Sequence, residues 1–223
     1  MKIKNFLGIA AAFLIVVLML VLVGITSGGF TNNRSNVYLA LVNKNHPIPE
    51  DWERRVKLIT VKNCLGEEAT IEHDAYSQYT LLRNALQKQG VQIELDSVYR
   101  SIKDQRETWD WSMENYGDEY TRGHVSPPGF SEHHTGLALD IFIMKGDKQI
   151  RENEEMAKDT VDFEKIHKLL PNYGFILRYP PGKKDITGYD PEPWHLRYVA
   201  YKNVAREITE QGITLEEYLG EGK

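Results

Sequence analysis

The spacing of apolar positions changes several times along this chain, and each change marks an element. From Phe6 to Ile25 every position is apolar or glycine and none is charged, which is the length of one membrane span. A cleaved signal peptide has a shorter apolar core, about 7–15 residues, and an A-x-A-like site. Here the run ends in Thr26, Ser27, Gly28 and Gly29, so it reads as an uncleaved anchor. Lys2 and Lys4 precede it, and positive charge stays on the cytoplasmic side, so the residues after Ile25 are expected outside. The following TSGGFTNNRS has the small, polar composition of a flexible tether.

Beyond Asn36 the spacing becomes that of a folded domain. Leu81, Leu82, Ala85 and Leu86 form a helical stripe, with Asp74 as the expected cap, Gln89 as the last residue and Gly90 as the stop. Val91, Ile93 and Leu95 alternate as a strand. That strand leads into Tyr99-Arg100-Ser101, where Ser101 and Asp104 resemble a capping box opening a helix that carries Trp109 and Trp111. Arg100 therefore sits at a strand-to-helix corner. Residues 118–131 have loop composition, and Leu137, Leu139, Ile141 and Ile143 alternate again. A helix near 161–170, a strand at 175–179, a Gly/Pro/Asp loop, a strand at 194–199 and a C-terminal helix complete the pattern. The predicted architecture is α+β, a small, mostly antiparallel sheet flanked by helices, with one N-terminal transmembrane helix. The predicted segments are residues 1–25 (cytoplasmic tip and anchor), 26–35 (linker) and 36–223 (a single domain).

Charge narrows the partners. Removing Lys2 and Lys4 takes the 27 basic residues to 25 against 32 acidic ones, a balance of −7, and no basic cluster stands out. Nucleic acid is excluded as a partner on that ground. Cys64 is the only cysteine, so the domain holds together without disulfides and any zinc site in it is not cysteine-based.

Candidate chemistry lies in two segments. In Ser131-Glu132-His133-His134-Thr135-Gly136-Leu137-Ala138-Leu139-Asp140, strand alternation puts Ala138 and Asp140 on the face opposite Leu137, Leu139 and Ile141. His133 on the preceding turn can reach the same face. Gly136 and Ala138 are small enough for a metal or substrate to approach the backbone. Imidazole and carboxylate are ordinary zinc ligands, although such a pair more often serves a structural role. Glu192-Pro193-Trp194-His195-Leu196-Arg197 offers a third ligand in His195, and in Glu192 a carboxylate placed to work on metal-activated water. Alone, this segment reads equally as an exposed acidic bend with Trp194 filling the core.

Taken together the segments match S-x-H-x-x-G-x-A-x-D and E-x-W-H, and the chain resembles the VanY-type D-alanyl-D-alanine carboxypeptidases and the related L,D-carboxypeptidases of bacterial walls. Asn43-Lys44 with His46-Pro47, Tyr99-Arg100-Ser101 with Gln105, and Tyr173 to Pro180 support the likeness, which spans roughly Asn36 to Tyr201. The resemblance implies one Zn2+ held by His133, Asp140 and His195, Glu192 as catalytic base, and Arg100 near the scissile carbonyl, where a guanidinium steadies developing negative charge. It also implies peptidoglycan stem peptides as substrates, with Ser131 and Gln105 hydrogen-bonding their terminal carboxylate and peptide, or with Ser131 capping its own turn. The expected protein is a monomer anchored in the cell membrane with its catalytic domain outside. Removal of a D-alanine from a D-Ala-D-Ala terminus is the first expectation, L,D-cleavage of tetrapeptides the second, and binding of wall peptide without catalysis the third. His134 is read as lying behind the ligands or exposed, and Glu152 to Glu155 and Glu216-Glu217 as solvated helix faces; for Trp109, Trp111 and Tyr116 the sequence leaves open a groove for glycan or peptide and a place in the core, the commoner one.

Overall fold

The structure is a computed structural model that describes residues 36–222. The expected membrane span and tether lie outside these residues, and among those described no helix is long and apolar enough to cross a membrane.

After two single 3-10 turns (Val37–Leu39 and Trp52–Arg54) comes an antiparallel hairpin, β1 (Leu58–Lys62) and β2 (Glu68–Glu72), followed by α1 (His73–Gln87), β3 (Gln92–Leu95) and α2 (Ile102–His124). Strands β4 (Ala138–Lys145) and β5 (Lys148–Ile150) precede the helices α3 (Asn153–Lys158) and α4 (Thr160–Leu169). After them come β6 (Phe175–Tyr179), α5 (Lys184–Thr187), β7 (Glu192–Tyr198), α6 (Lys202–Gln211) and α7 (Leu215–Leu219). The central sheet has the order β3-β4-β7-β6, with β5 added beside β4, and every pairing is antiparallel. The α+β reading holds, including the antiparallel sheet with flanking helices.

Period-two alternation gives the sheet two unlike faces. Leu137, Leu139, Ile141, Phe175 and Leu196 are fully buried in the main core together with Leu82 and Leu86 of α1 and Ile166 of α4. On the opposite face the register sets Ala138 across from Arg197 and Asp140 across from His195. That face carries polar groups in the middle of the sheet. Ile176 and Val199 contribute to a second, smaller core closed by Val204, Ala205 and Ile208 of α6 and Leu215 of α7.

Three local expectations change. The cap of α1 is Glu72, whose carboxylate accepts from the backbone N–H groups of Asp74 and Ala75 at 2.8 and 2.9 Å. Asp74 lies instead in the first turn, a favourable place for negative charge. Helix α2 continues well past residue 118. Gly117, at φ 82° and ψ 177°, breaks its regularity, but helix resumes and the buried hydroxyls of Ser112 and Thr121 join the two halves at 2.8 Å. Ser101 caps α2 as expected, accepting from Asp104 N–H at 3.1 Å. Finally, Trp111 and Tyr116 are more than half exposed, which removes the core from the two places left open for them.

Candidate metal centre and active site

Residues 131–136 form a tight turn between the sheet and the β1–β2 hairpin. Ser131 caps it by accepting from His133 N–H at 3.3 Å, and Trp52 Nε1 donates to Thr135 O at 3.0 Å. Gly136 ends the turn at φ 69°, where a Cβ would meet Leu58 Cδ2 at 2.6 Å. The residue is therefore small because the hairpin packs on it, not because a metal or substrate approaches its backbone.

This turn places His133 above the polar face of the sheet. His133 Nδ1 lies 2.6 Å from Val98 O, which fixes the N–H there and aims Nε2 at Asp140 Oδ2, 3.2 Å away. From β7, His195 brings Nδ1 within 3.0 Å of Asp140 Oδ1. The two imidazoles stand edge to face, with centroids 5.0 Å apart. One donor atom from each of the three residues lies within 4.8 Å of the others.

The donor set fits a single zinc ion. Ligand atoms about 2.0–2.2 Å from a tetrahedral metal stand about 3.3 Å from one another, close to both carboxylate–imidazole separations. Despite these approaches, Asp140 Oδ1 is buried without a hydrogen bond from the described residues. Such an orphaned carboxylate oxygen is what a cation would satisfy.

Electrostatics follow from crowding. Burial opposes charge on Asp140, but the His133 and His195 rings overcome it and hold its carboxyl well below the usual range. Burial likewise opposes charge on His195, yet Asp140 pushes its pKa up to about 10. His133 moves the other way, lowered chiefly by burial. Glu192 lies 3.6 Å from His195 Nδ1. Burial, reinforced by the charges of Asp140 and Asp190 and opposed by His195, raises its carboxyl to about 7.

Arg100, Glu192 and the three candidate ligands line one cavity of about 190 Å3. Arg100 Nη1 donates to Gln105 Oε1 at 3.0 Å and Nη2 to Ser97 Oγ at 2.7 Å. Gln105 completes its own bonding by donating Nε2–H to Ser126 O at 2.7 Å. Ser131 and Gln105 thus border the cavity with their polar atoms already engaged by the protein. His134 lies behind the ligands. It is buried, with Nδ1 2.6 Å from Arg100 O, and Nε2 accepts from Gly129 N–H at 3.0 Å.

Sequence reasoning missed the layer beneath His195. Glu132 Oε1 accepts from Arg178 Nε and Arg197 Nη1, both at 2.7 Å. Arg178 extends the chain to Glu216 of α7, at 2.8 and 2.6 Å, and Asn43 Nδ2 donates to the same carboxylate at 3.1 Å. Glu216 is therefore buried and paired, not on a solvated helix face. One signal was available. Arg197 is in phase with His195 on β7 and lies between Leu196 and Tyr198, and a buried arginine requires a buried acid.

Comparison with known proteins agrees with this geometry. The model of the VanY family, D-alanyl-D-alanine carboxypeptidase, matches residues 68–201. The bifunctional D-Ala-D-Ala dipeptidase and D-Ala-D-Ala carboxypeptidase VanXYC of Enterococcus gallinarum is 35% identical over 189 residues, which cover 81% of this chain and 92% of that protein. Among solved structures, the LD-carboxypeptidase LdcB is 36% identical with a TM-score of 0.73, covering 86% of this chain and 89% of that one. A Zn(II) complex of a variant of the vancomycin-resistance D,D-pentapeptidase VanY is 32% identical with a TM-score of 0.69, covering 82% and 99%.

Proposed function

The chain belongs to the VanY family of zinc-dependent carboxypeptidases, and on that premise we propose how its residues remove the C-terminal D-alanine from peptidoglycan stem peptides. The observation that carries this reading is the convergence of His133, Asp140 and His195 with Glu192 beside them in one cavity.

His133 Nε2, Asp140 and His195 Nδ1 would hold the metal. When bound there, zinc would supply a Lewis acid able to acidify water and polarise the scissile carbonyl. Glu192 takes a proton from the attacking water on its carboxylate and returns it to the leaving amine, a role suited to a half-buried carboxyl whose pKa is raised toward neutrality. Arg100 faces the negative charge that grows on the carbonyl oxygen, and its Gln105 and Ser97 partners hold the guanidinium in place before substrate arrives. Gln105 acts through Arg100, and Ser131 borders the terminal carboxylate while capping the ligand turn.

All these groups come from one chain, which supports a monomeric enzyme. The apolar run from Phe6 to Ile25 and the preceding lysines support an anchor that leaves the domain facing the wall.

The likeness to LdcB keeps L,D-cleavage of tetrapeptides as the second reading. Mass spectrometry of two synthetic stem peptides decides between them. A pentapeptide ending in D-Ala-D-Ala loses alanine in a chelator-sensitive reaction on the first reading. Preferred shortening of the tetrapeptide moves the assignment to L,D. Cleavage of neither by zinc-loaded protein would leave a wall-peptide binding protein.

A further inference from the structure

The assignment of His195 as a metal ligand leaves its second ring nitrogen to be explained. On β7, His195 turns Nδ1 toward Asp140 and Nε2 into the protein, 3.5 Å from Glu132 Oε2. That is the long end of a hydrogen bond, yet neither atom has another partner among the described residues. The Glu132 side chain is wholly buried. Its other oxygen is fixed by Arg178 and Arg197. Each arginine is fixed in turn, Arg178 by Glu216 and Arg197 by the carbonyl oxygens of Ala40 and Tyr38 at 2.8 and 3.2 Å. The carboxylate cannot turn without breaking these bonds, so Oε2 is held facing His195.

We propose that Glu132 is a positioning residue for the zinc centre: it accepts the Nε2–H of His195 and so commits Nδ1, with its lone pair, to the metal. This rests on the three-ligand reading above. It explains why two ligand histidines use opposite nitrogens. His133 gives its Nδ1–H to Val98 O and keeps Nε2 for the metal, whereas His195 gives its Nε2–H to Glu132 and keeps Nδ1. It also explains a buried acid with two arginines under a metal site. A carboxylate partner orients a ligating imidazole and strengthens its donation, and losing one typically costs about 10–100-fold in metal affinity. The arginines keep that carboxylate charged and immobile in a dry interior.

The test uses the full chain in detergent, with zinc affinity measured by chelator competition for the wild type, Glu132→Gln, Glu132→Asp and His195→Ala. Glu132→Asp keeps a negative charge for the two arginines while drawing the carboxylate back from His195. Both Glu132 variants are expected to bind zinc about 10–100-fold more weakly than wild type. If His195→Ala binds zinc as wild type does, the metal-centre reading itself fails. If His195→Ala loses zinc while the Glu132 variants keep wild-type affinity, that reading stands and the role of Glu132 is refuted.

A spectroscopic readout separates positioning from loss of packing, and its first arm uses the wild-type protein alone. In zinc-loaded protein labelled with 15N-histidine, His195 is expected as the Nε2-protonated tautomer, with a ring proton protected from exchange with water. In the Glu132 variants that proton exchanges faster. A wild-type His195 protonated on Nδ1, or one whose Nε2–H exchanges freely, would overturn the proposal.

Discussion

Replacing Arg178 by methionine tests whether the buried charge layer holds the domain together. Arg178 is completely buried and serves two carboxylates, Glu132 through Nε and Glu216 through both terminal nitrogens. With Arg197 the layer holds two acids and two bases. The substitution leaves it with one unbalanced negative charge and leaves Glu216 with no cationic partner among the described residues, Asn43 being its remaining side-chain donor there. Breaking a buried pair by removing one partner costs about 3–5 kcal/mol. At about 2–4 °C per kcal/mol for a domain of this size, the melting temperature should fall by roughly 6–20 °C. The melt is run with a chelator present, because bound metal adds stability by mass action. A second signature lies in pH. Burial opposes ionisation of Glu132 and Glu216, but the arginines hold both carboxyls below their ordinary range. Groups with depressed folded pKa values contribute stability that is present above the unfolded value of about 4.5 and lost as pH falls through the folded value. In the variant the stranded carboxylate regains a proton more readily, so the gap between the two proteins should narrow below about pH 4.5. A loss under about 1 kcal/mol at pH 7, or a gap of constant size down to pH 4, would refute the reasoning.

Arg100→Ala should keep zinc and fold but lose about 10²–10³ in kcat, the usual cost of removing one donor to a developing oxyanion; an effect on KM alone would make Arg100 a binding group. Gly136→Ala should cost about 1–3 kcal/mol by chemical denaturation, because alanine at φ 69° is strained and its methyl runs into Leu58; a neutral result would mean the hairpin yields there. In metal-free protein Asp140 raises His195 to about 10 against the opposing effect of burial, so the ring is charged at neutral pH. Zinc must displace that proton. Calorimetry in buffers of different ionisation enthalpy at pH 7.5 should find about one proton released per zinc, with affinity rising as pH rises toward 10; no proton release would contradict the charge state derived for His195.

The sequence carried much of this because each motif sits where backbone rules are strict. Asp140 and His195 lie on strands, and simple alternation puts both on the face away from Leu139 and Leu196, as the register bears out. Ser101 and Asp104 marked the start of α2 because a cap is a local hydrogen bond. Long-range packing was less legible. The β1–β2 hairpin went unpredicted, its strands being short and partly exposed, and with it the reason for Gly136. Glu216 sits in an acidic pair on a short helix, and nothing local distinguishes it from Glu217, although one is buried against Arg178 and the other pairs with Lys183 nearer the surface. Glu132 was hidden between two motif residues, since its partners lie 46 and 65 residues away.

The most direct test of the central claim is zinc content and turnover measured together on Glu192→Gln and His195→Ala, with a D-Ala-D-Ala stem pentapeptide as substrate. Glu192→Gln should retain one zinc per chain while losing turnover by about 10²–10⁴-fold, the range for a missing general base, and His195→Ala should lose both metal and activity. Near-normal turnover by Glu192→Gln, or a full complement of zinc in active His195→Ala, would contradict the account.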